Sequence, residues 1–179
     1  CEQKGVVMTL EDNPITRRSF PFLFLIQLEV RLEQNSLSIK TLVRNRGKET
    51  MIFSFGLHPY FMVENLENIA IRGLPETCIN HLDMSIDSTS NQLTNLSKGI
   101  DFLASYKGSV SFTDLNTGAS VEMQNQAPMD CSVFWTDPPR KMICMEPWTS
   151  PRSSLLTGDR TLNLEPGTSQ ELLCKFVCN

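Results

Sequence analysis

The chain has 179 residues, 40% of them hydrophobic and 20% charged, which is globular rather than disordered composition. A net charge of −4 and the lack of any Lys/Arg run longer than a pair such as Arg17-Arg18 argue against nucleic acid and anionic membrane surfaces as partners. The longest apolar run, about residues 20–26, is too short to span a bilayer.

At this length a single domain over residues 1–179 is expected, with enough chain to bury a core. No signal peptide is visible, and the chain is expected to be cytoplasmic. It starts at Cys1 rather than Met, so it reads as processed, trimmed or a fragment. Six cysteines (1, 78, 131, 144, 174 and 178) include no C-x-x-C and no zinc-type spacing. They read mainly as buried reduced thiols; an exported protein with an even count is the alternative. The one sequon, Asn95-Leu96-Ser97, does not decide the compartment.

The apolar pattern has period two. Residues 5–11 form the first β segment and begin almost at once, so the sheet is expected to have partners before residue 1. Residues 23–33 alternate, with Leu28, Val30 and Leu32 on one face and Gln27, Glu29, Arg31 and Glu33 on the other. Asn35-Ser36 turns the chain, and Leu37, Ile39 and Leu42-Val43 begin the return strand of a hairpin. A turn at 45–48 leads to the strand MIFSF. Further β segments are expected near 68–72, 109–114, 119–124, 132–136, 141–146, 161–164 and 170–177. Asn116 to Gly118 reads as another hairpin turn. Residues 86–99, rich in Ser, Thr and Asn, read as a long surface loop, and no amphipathic helix is convincing. Short strands with regular turns predict an all-β sandwich or barrel.

Two segments carry candidate chemistry. In GLHPYF, His58 follows a strand, Pro59 forces it into an extended or turned backbone, and Tyr60 and Phe61 add aromatic surface. His58 alone reads more readily as a structural histidine in a tight turn. In CMEPWTSP, an apolar strand ends in Glu146, Pro147 stops pairing, and Trp148 offers a flat face on which a sugar ring packs. Glu146 alone reads equally as half of a strand-end salt bridge with Arg or Lys. Asp101, in GIDF, is placed at the end of the polar loop, either as a hydroxyl acceptor or as a turn residue. His81, near Cys78, reads as structural. Arg17-Arg18 reads as a solvated pair, and residues 46–50 lack the glycine and helix of a phosphate loop. No G-x-S-x-G elbow supports a hydrolase triad.

At FSFGLHPYF, GIDF and MEPWTSP, with LNLEPGTSQEL and the strand pair FPFLFLIQLEVRL and LSIKTLVRNRG, the chain resembles the galactose mutarotase-like superfamily. It is similar above all to aldose 1-epimerases and hexose-6-phosphate 1-epimerase-like proteins. The resemblance implies a large twisted antiparallel β-sandwich (supersandwich) with an open cleft. It implies an anomer-interconverting isomerase with His58 as the acid at the ring oxygen and Glu146 as the base at the anomeric hydroxyl. Asp101, Trp148 and Tyr60 would bind the substrate, a sugar or sugar phosphate. No metal or cofactor is implied, because one group gives a proton while the other takes one. At their ordinary pKa values Glu is ionised at neutral pH and His still holds a transferable proton. Family members are usually longer at the N-terminus, where further cleft residues lie, and Ser153 stands where Asn is expected. The chain is therefore expected to be a fragment, since a truncated sandwich would expose sheet edges. The alternative is a non-catalytic carbohydrate-binding or regulatory module on the same fold.

Overall fold

The computed structural model describes residues 4–105 and 108–179. The described residues form fifteen strands: β1 (Lys4–Glu11), β2 (Phe24–Leu32), β3 (Ser36–Asn45), β4 (Met51–Phe53), β5 (Tyr60–Met62), β6 (Ile69–Arg72), β7 (Thr77–Asn80), β8 (Ile86–Ser88), β9 (Ile100–Ser105), β10 (Ser109–Asp114), β11 (Ser120–Asn125), β12 (Cys131–Thr136), β13 (Met142–Trp148), β14 (Leu162–Leu164) and β15 (Ser169–Cys178). Among the described residues two short α-helices interrupt them, α1 (Thr89–Leu93) and α2 (Ser154–Thr157), with single 3-10 turns at Thr16–Arg18 and Leu66–Asn68. Among the described residues no helix is long and apolar enough to cross a membrane.

The strands form a seven-stranded sheet, β1-β2-β3-β15-β11-β10-β6, a six-stranded sheet, β5-β13-β12-β9-β7-β8, and a small pair, β14-β4. All pairings are antiparallel, which gives the expected β-sandwich. Both hairpins read from the sequence form. β2 pairs with β3 from Phe24↔Asn45 to Leu32↔Leu37, and Asn116 to Gly118 turns β10 into β11.

The core draws on both sheets. Val110, Phe112, Met123, Cys174 and Phe176 come from the seven-stranded sheet, and Ile100, Phe102, Phe134, Ile143 and Met145 from the six-stranded one. Phe102 and Phe134 stack with ring centroids 5.6 Å apart. The outer strand β1 is different: every residue is exposed, including Val6, Val7, Met8 and Leu10.

Residues 86–99 are not one long loop. They hold β8 and α1, with Thr89, Gln92 and Leu96 buried. Asp87 organises the segment by accepting hydrogen bonds from the Ser88 backbone N–H and from the Asn91 and Gln92 amides. Local side-chain bonding of this kind nucleates a helix start in a polar sequence with no apolar stripe. Asp101 likewise does not end a loop; it lies inside β9. Cys78, Cys131, Cys144 and Cys174 are buried free thiols and Cys178 is an exposed one, while Cys1 lies outside the described residues.

Candidate active site

Strand alternation decides which side chains meet in the cleft. On β13, Ile143 and Met145 enter the core, so Met142, Cys144, Glu146 and Trp148 share the opposite face. Register carries that face across the sheet. Asp101, Trp135, Cys144 and Tyr60 stand in one cross-strand row, and Leu103, Val133 and Glu146 in the next. Glu146 therefore has apolar neighbours along its row.

A loop brings the histidine to this wall. After β4, residues 54–58 run beside the end of β13. Phe55 N–H donates to Thr149 Oγ1, Thr149 N–H donates to the Phe55 carbonyl, and Leu57 N–H donates to the Pro147 carbonyl. Gly56 bridges to Trp148 so closely that a Cβ there would stand 2.6 Å from the indole Cδ1. Pro59 then directs the chain into β5. The result is His58 Nε2 at 3.4 Å from Glu146 Oε1. The His58 side chain is half exposed, at 49%, and Glu146 is buried, at 2%.

Burial pushes the Glu146 carboxyl up to about 7. The Trp148 indole N–H, which donates to Glu146 Oε2 at 3.1 Å, pulls the other way; the Asp101 charge adds to the rise and Arg152 opposes it. The sequence-based expectation of an ordinary carboxylate fails here because the apolar row removes water from the charged form. Among the described residues no Lys or Arg pairs with Glu146, so the strand-end salt-bridge reading is not what forms.

The other expected residues surround this pair. Tyr60 stacks on His58 (centroids 4.8 Å apart, 12° between planes), and Trp135 meets both rings edge-on. Asp101 is held from two sides: His81 Nδ1 lies 2.8 Å from Oδ1, and Arg152 donates to Oδ2 at 3.0 Å. Burial alone would raise the Asp101 carboxyl, but His81 and Arg152 outweigh it and hold it below its usual value. An ionised carboxylate only accepts, so Nδ1 of His81 carries the proton. His81 also stacks against Trp148, with centroids 6.0 Å apart. Reading His81 as structural holds as far as its burial, but its partner is Asp101, one of the expected site residues. Beside His58 opens a cavity of about 400 Å³, lined in part by Ser54, Trp148, Ser150, Arg152 and Ser153.

The sequence reading assigns no site role to His81 or Cys144, which it treats as structural, and does not single out Arg152 or Trp135. The Cys144 thiol is pushed up to about 12, by burial first and then by the Glu146 charge. His58, Cys144 and Glu146 each offer one donor atom, all within 4.8 Å of one another. Chemically, the wall presents a carboxylate tuned to exchange a proton near neutrality, an imidazole beside it, and a fixed carboxylate and aromatic rings to orient a polar ring.

Solved structures share the fold. A protein of Synechocystis sp. PCC 6803 matches with TM-score 0.94 and 24% identity over 100% of this chain and 63% of its own. A galactose mutarotase related enzyme from Lactobacillus acidophilus matches with TM-score 0.79 and 22% identity, covering 98% and 68%. A galactose mutarotase-like protein from Clostridium acetobutylicum matches with TM-score 0.79 and 18% identity, covering 99% and 62%. The chain thus spans about two thirds of the length of these relatives. No curated protein sequence matches it. The family model for aldose 1-epimerase matches residues 1–175, almost the whole length, and so the chain belongs to the aldose 1-epimerase family.

Proposed function

We propose that the protein carrying this chain is an aldose or hexose-6-phosphate 1-epimerase, with Glu146 as the base and His58 as the acid. The supporting observation is the 3.4 Å approach of His58 Nε2 to the buried Glu146 Oε1. The anomeric hydroxyl and the ring oxygen share one carbon, so their partners must lie close together. A donor and an acceptor at this spacing reach both oxygens from one side of the ring. Glu146 removes the proton of the anomeric hydroxyl while His58 delivers one to the ring oxygen. The C1–O5 bond opens, the C1–C2 bond rotates, and reclosure with the roles reversed gives the other anomer. A base tuned near neutrality takes and returns a proton with little driving force wasted.

In this reading Asp101, fixed by His81 and Arg152, accepts from ring hydroxyls, and Trp148 and Tyr60 supply apolar faces for the C–H bonds. The chain works as one domain, since its core draws on both sheets. Free thiols throughout the described residues agree with a cytoplasmic setting. Polarimetry and exchange NMR with aldoses and hexose 6-phosphates test the proposal. Anomer exchange should run above the buffer rate, and His58→Ala and Glu146→Gln should each remove most of the enhancement. Wild-type rates in both variants would sink the assignment of roles. Binding without rate enhancement would make this a carbohydrate-binding module.

A further inference from the structure

Cys144 has no part in the proposed proton exchange, yet its thiol lies on the same wall within 4.8 Å of the two groups that do. We propose that His58, Cys144 and Glu146 form a three-donor site for a thiophilic divalent cation, zinc above all, and that the bound ion shuts the active site. The first half stands on geometry alone; the second rests on the epimerase reading.

The three donor atoms lie within 4.8 Å of one another, with His58 Nε2 and Glu146 Oε1 at 3.4 Å. That 3.4 Å edge equals the separation of two ligands on a tetrahedral ion with bonds of about 2.0–2.1 Å. A third bond of about 2.3 Å needs the sulfur and the ion to close by up to about 1 Å, a side-chain adjustment at Cys144 and His58. The half-exposed His58, which lines the cavity, gives an entry path.

The surroundings suit the ion. Trp148 Nε1–H holds the other carboxylate oxygen, Oε2, leaving Oε1 for the metal, and stacking on Tyr60 fixes the plane of His58. Outer contacts of this kind orient metal ligands. The Cys144 S–H points to Met142 Sδ at 3.8 Å, so the sulfur lone pairs are turned from that side. Charge also balances: a divalent cation with one thiolate, one carboxylate and one neutral imidazole leaves the buried wall uncharged. The nearby guanidinium groups are engaged elsewhere, Arg152 with Asp101 and Arg140 with Asp137. Binding replaces the S–H bond by a metal–sulfur bond and releases that proton to solvent, with no change of oxidation state. Magnesium and calcium fit poorly, since they demand several oxygens and this set offers one carboxylate. The occupied site is inactive because the metal takes Nε2 and Oε1, the two atoms that exchange protons.

Cobalt(II) is the optical probe. Titrating it into the metal-free full chain should give the bands of a tetrahedral ion together with thiolate-to-cobalt charge transfer, saturating at one ion per chain and bleached by zinc. Cys144→Ser should lose the charge-transfer band, while Cys178→Ser, at the exposed thiol, should keep it. His58→Ala, at a half-exposed position safe for folding, should weaken cobalt binding by more than about tenfold. In the anomer-exchange assay, zinc should arrest the wild type, and Cys144→Ser should retain basal exchange at zinc levels that stop it. Absence of the charge-transfer band, its survival in Cys144→Ser, or equal competition by magnesium would overturn the site. The optical test needs no turnover. A cobalt site without anomer exchange would reject the epimerase reading and keep the site; exchange without a cobalt site would do the reverse.

Discussion

Glu146→Gln separates the energetic cost of the buried carboxyl from the chemical use proposed for it. The wild-type carboxyl sits at about 7 in the folded chain against an ordinary 4.5. Between those values the folded state binds more protons than the unfolded one, so wild-type stability falls as pH rises through this window. Above pH 7 the full penalty is present, about 3 kcal/mol from the size of the rise. Glutamine has the same shape, accepts the Trp148 N–H through its carbonyl, and has no charge to desolvate. The variant should therefore match the wild type near pH 4, gain steadily from about pH 4.5 to 7, and hold a gain of up to about 3 kcal/mol at pH 8, reduced by the weaker neutral hydrogen bond to Trp148. Urea unfolding at a series of pH values, followed by tryptophan fluorescence, measures this directly. A constant difference across pH, or a variant less stable at pH 8 than at pH 4 relative to wild type, would show that Glu146 is not held against its charge.

The same carboxyl predicts that kcat for anomer exchange climbs with pH through about 7, as the base becomes ionised, in a rapid-quench or NMR exchange profile. Trp148→Phe removes the hydrogen bond that favours the ionised form, so that limb should move to higher pH. Gly56→Ala places a methyl 2.6 Å from the Trp148 ring; it should displace the indole, lower exchange at least about tenfold, and lower the melting temperature. His81→Ala strips Asp101 of one partner and leaves a cavity beside Trp148; it should cost about 1–3 kcal/mol and raise KM more than it lowers kcat, with His81→Asn recovering part of the KM effect.

Much of the sandwich was legible because one-sided burial leaves a period-two trace. β10 shows it, with Val110, Phe112 and Asp114 buried between more exposed neighbours, and so does β15, with Leu172, Cys174 and Phe176. β9 escaped because Phe102, Leu103 and Ala104 are all buried, so both faces are covered and no alternation remains to be read. β7 escaped because four residues, two of them polar, make too short a window. Within the site, Glu146 and Trp148 are two apart on a strand and must share a face; the same rule puts Cys144 there, a signal present in the sequence and not used. The His58–Glu146 approach was suggested by a family resemblance, since nothing local links residues so far apart. The His81–Asp101 pair had no sequence signal at all, because it depends on how the end of β7 lies against β9.

Under the proposed function, the placement of the two groups divides the work of proton exchange. Glu146 sits on β13 beside Val133 and Leu103 in register, and its side chain is buried. That apolar row is what raises its carboxyl toward neutrality. His58 sits on a loop held mainly by backbone bonds to the end of β13, with its ring open to the cleft. An acid and base that swap roles each turn need at least one member in contact with solvent, so that protonation states re-equilibrate between turnovers. Burying both would tune both and trap the proton, and exposing both would leave Glu146 an ordinary carboxylate. Tyr60 and Trp135 brace the exposed member with ring contacts rather than ion pairs, which fixes the imidazole plane without claiming its nitrogen at Nε2.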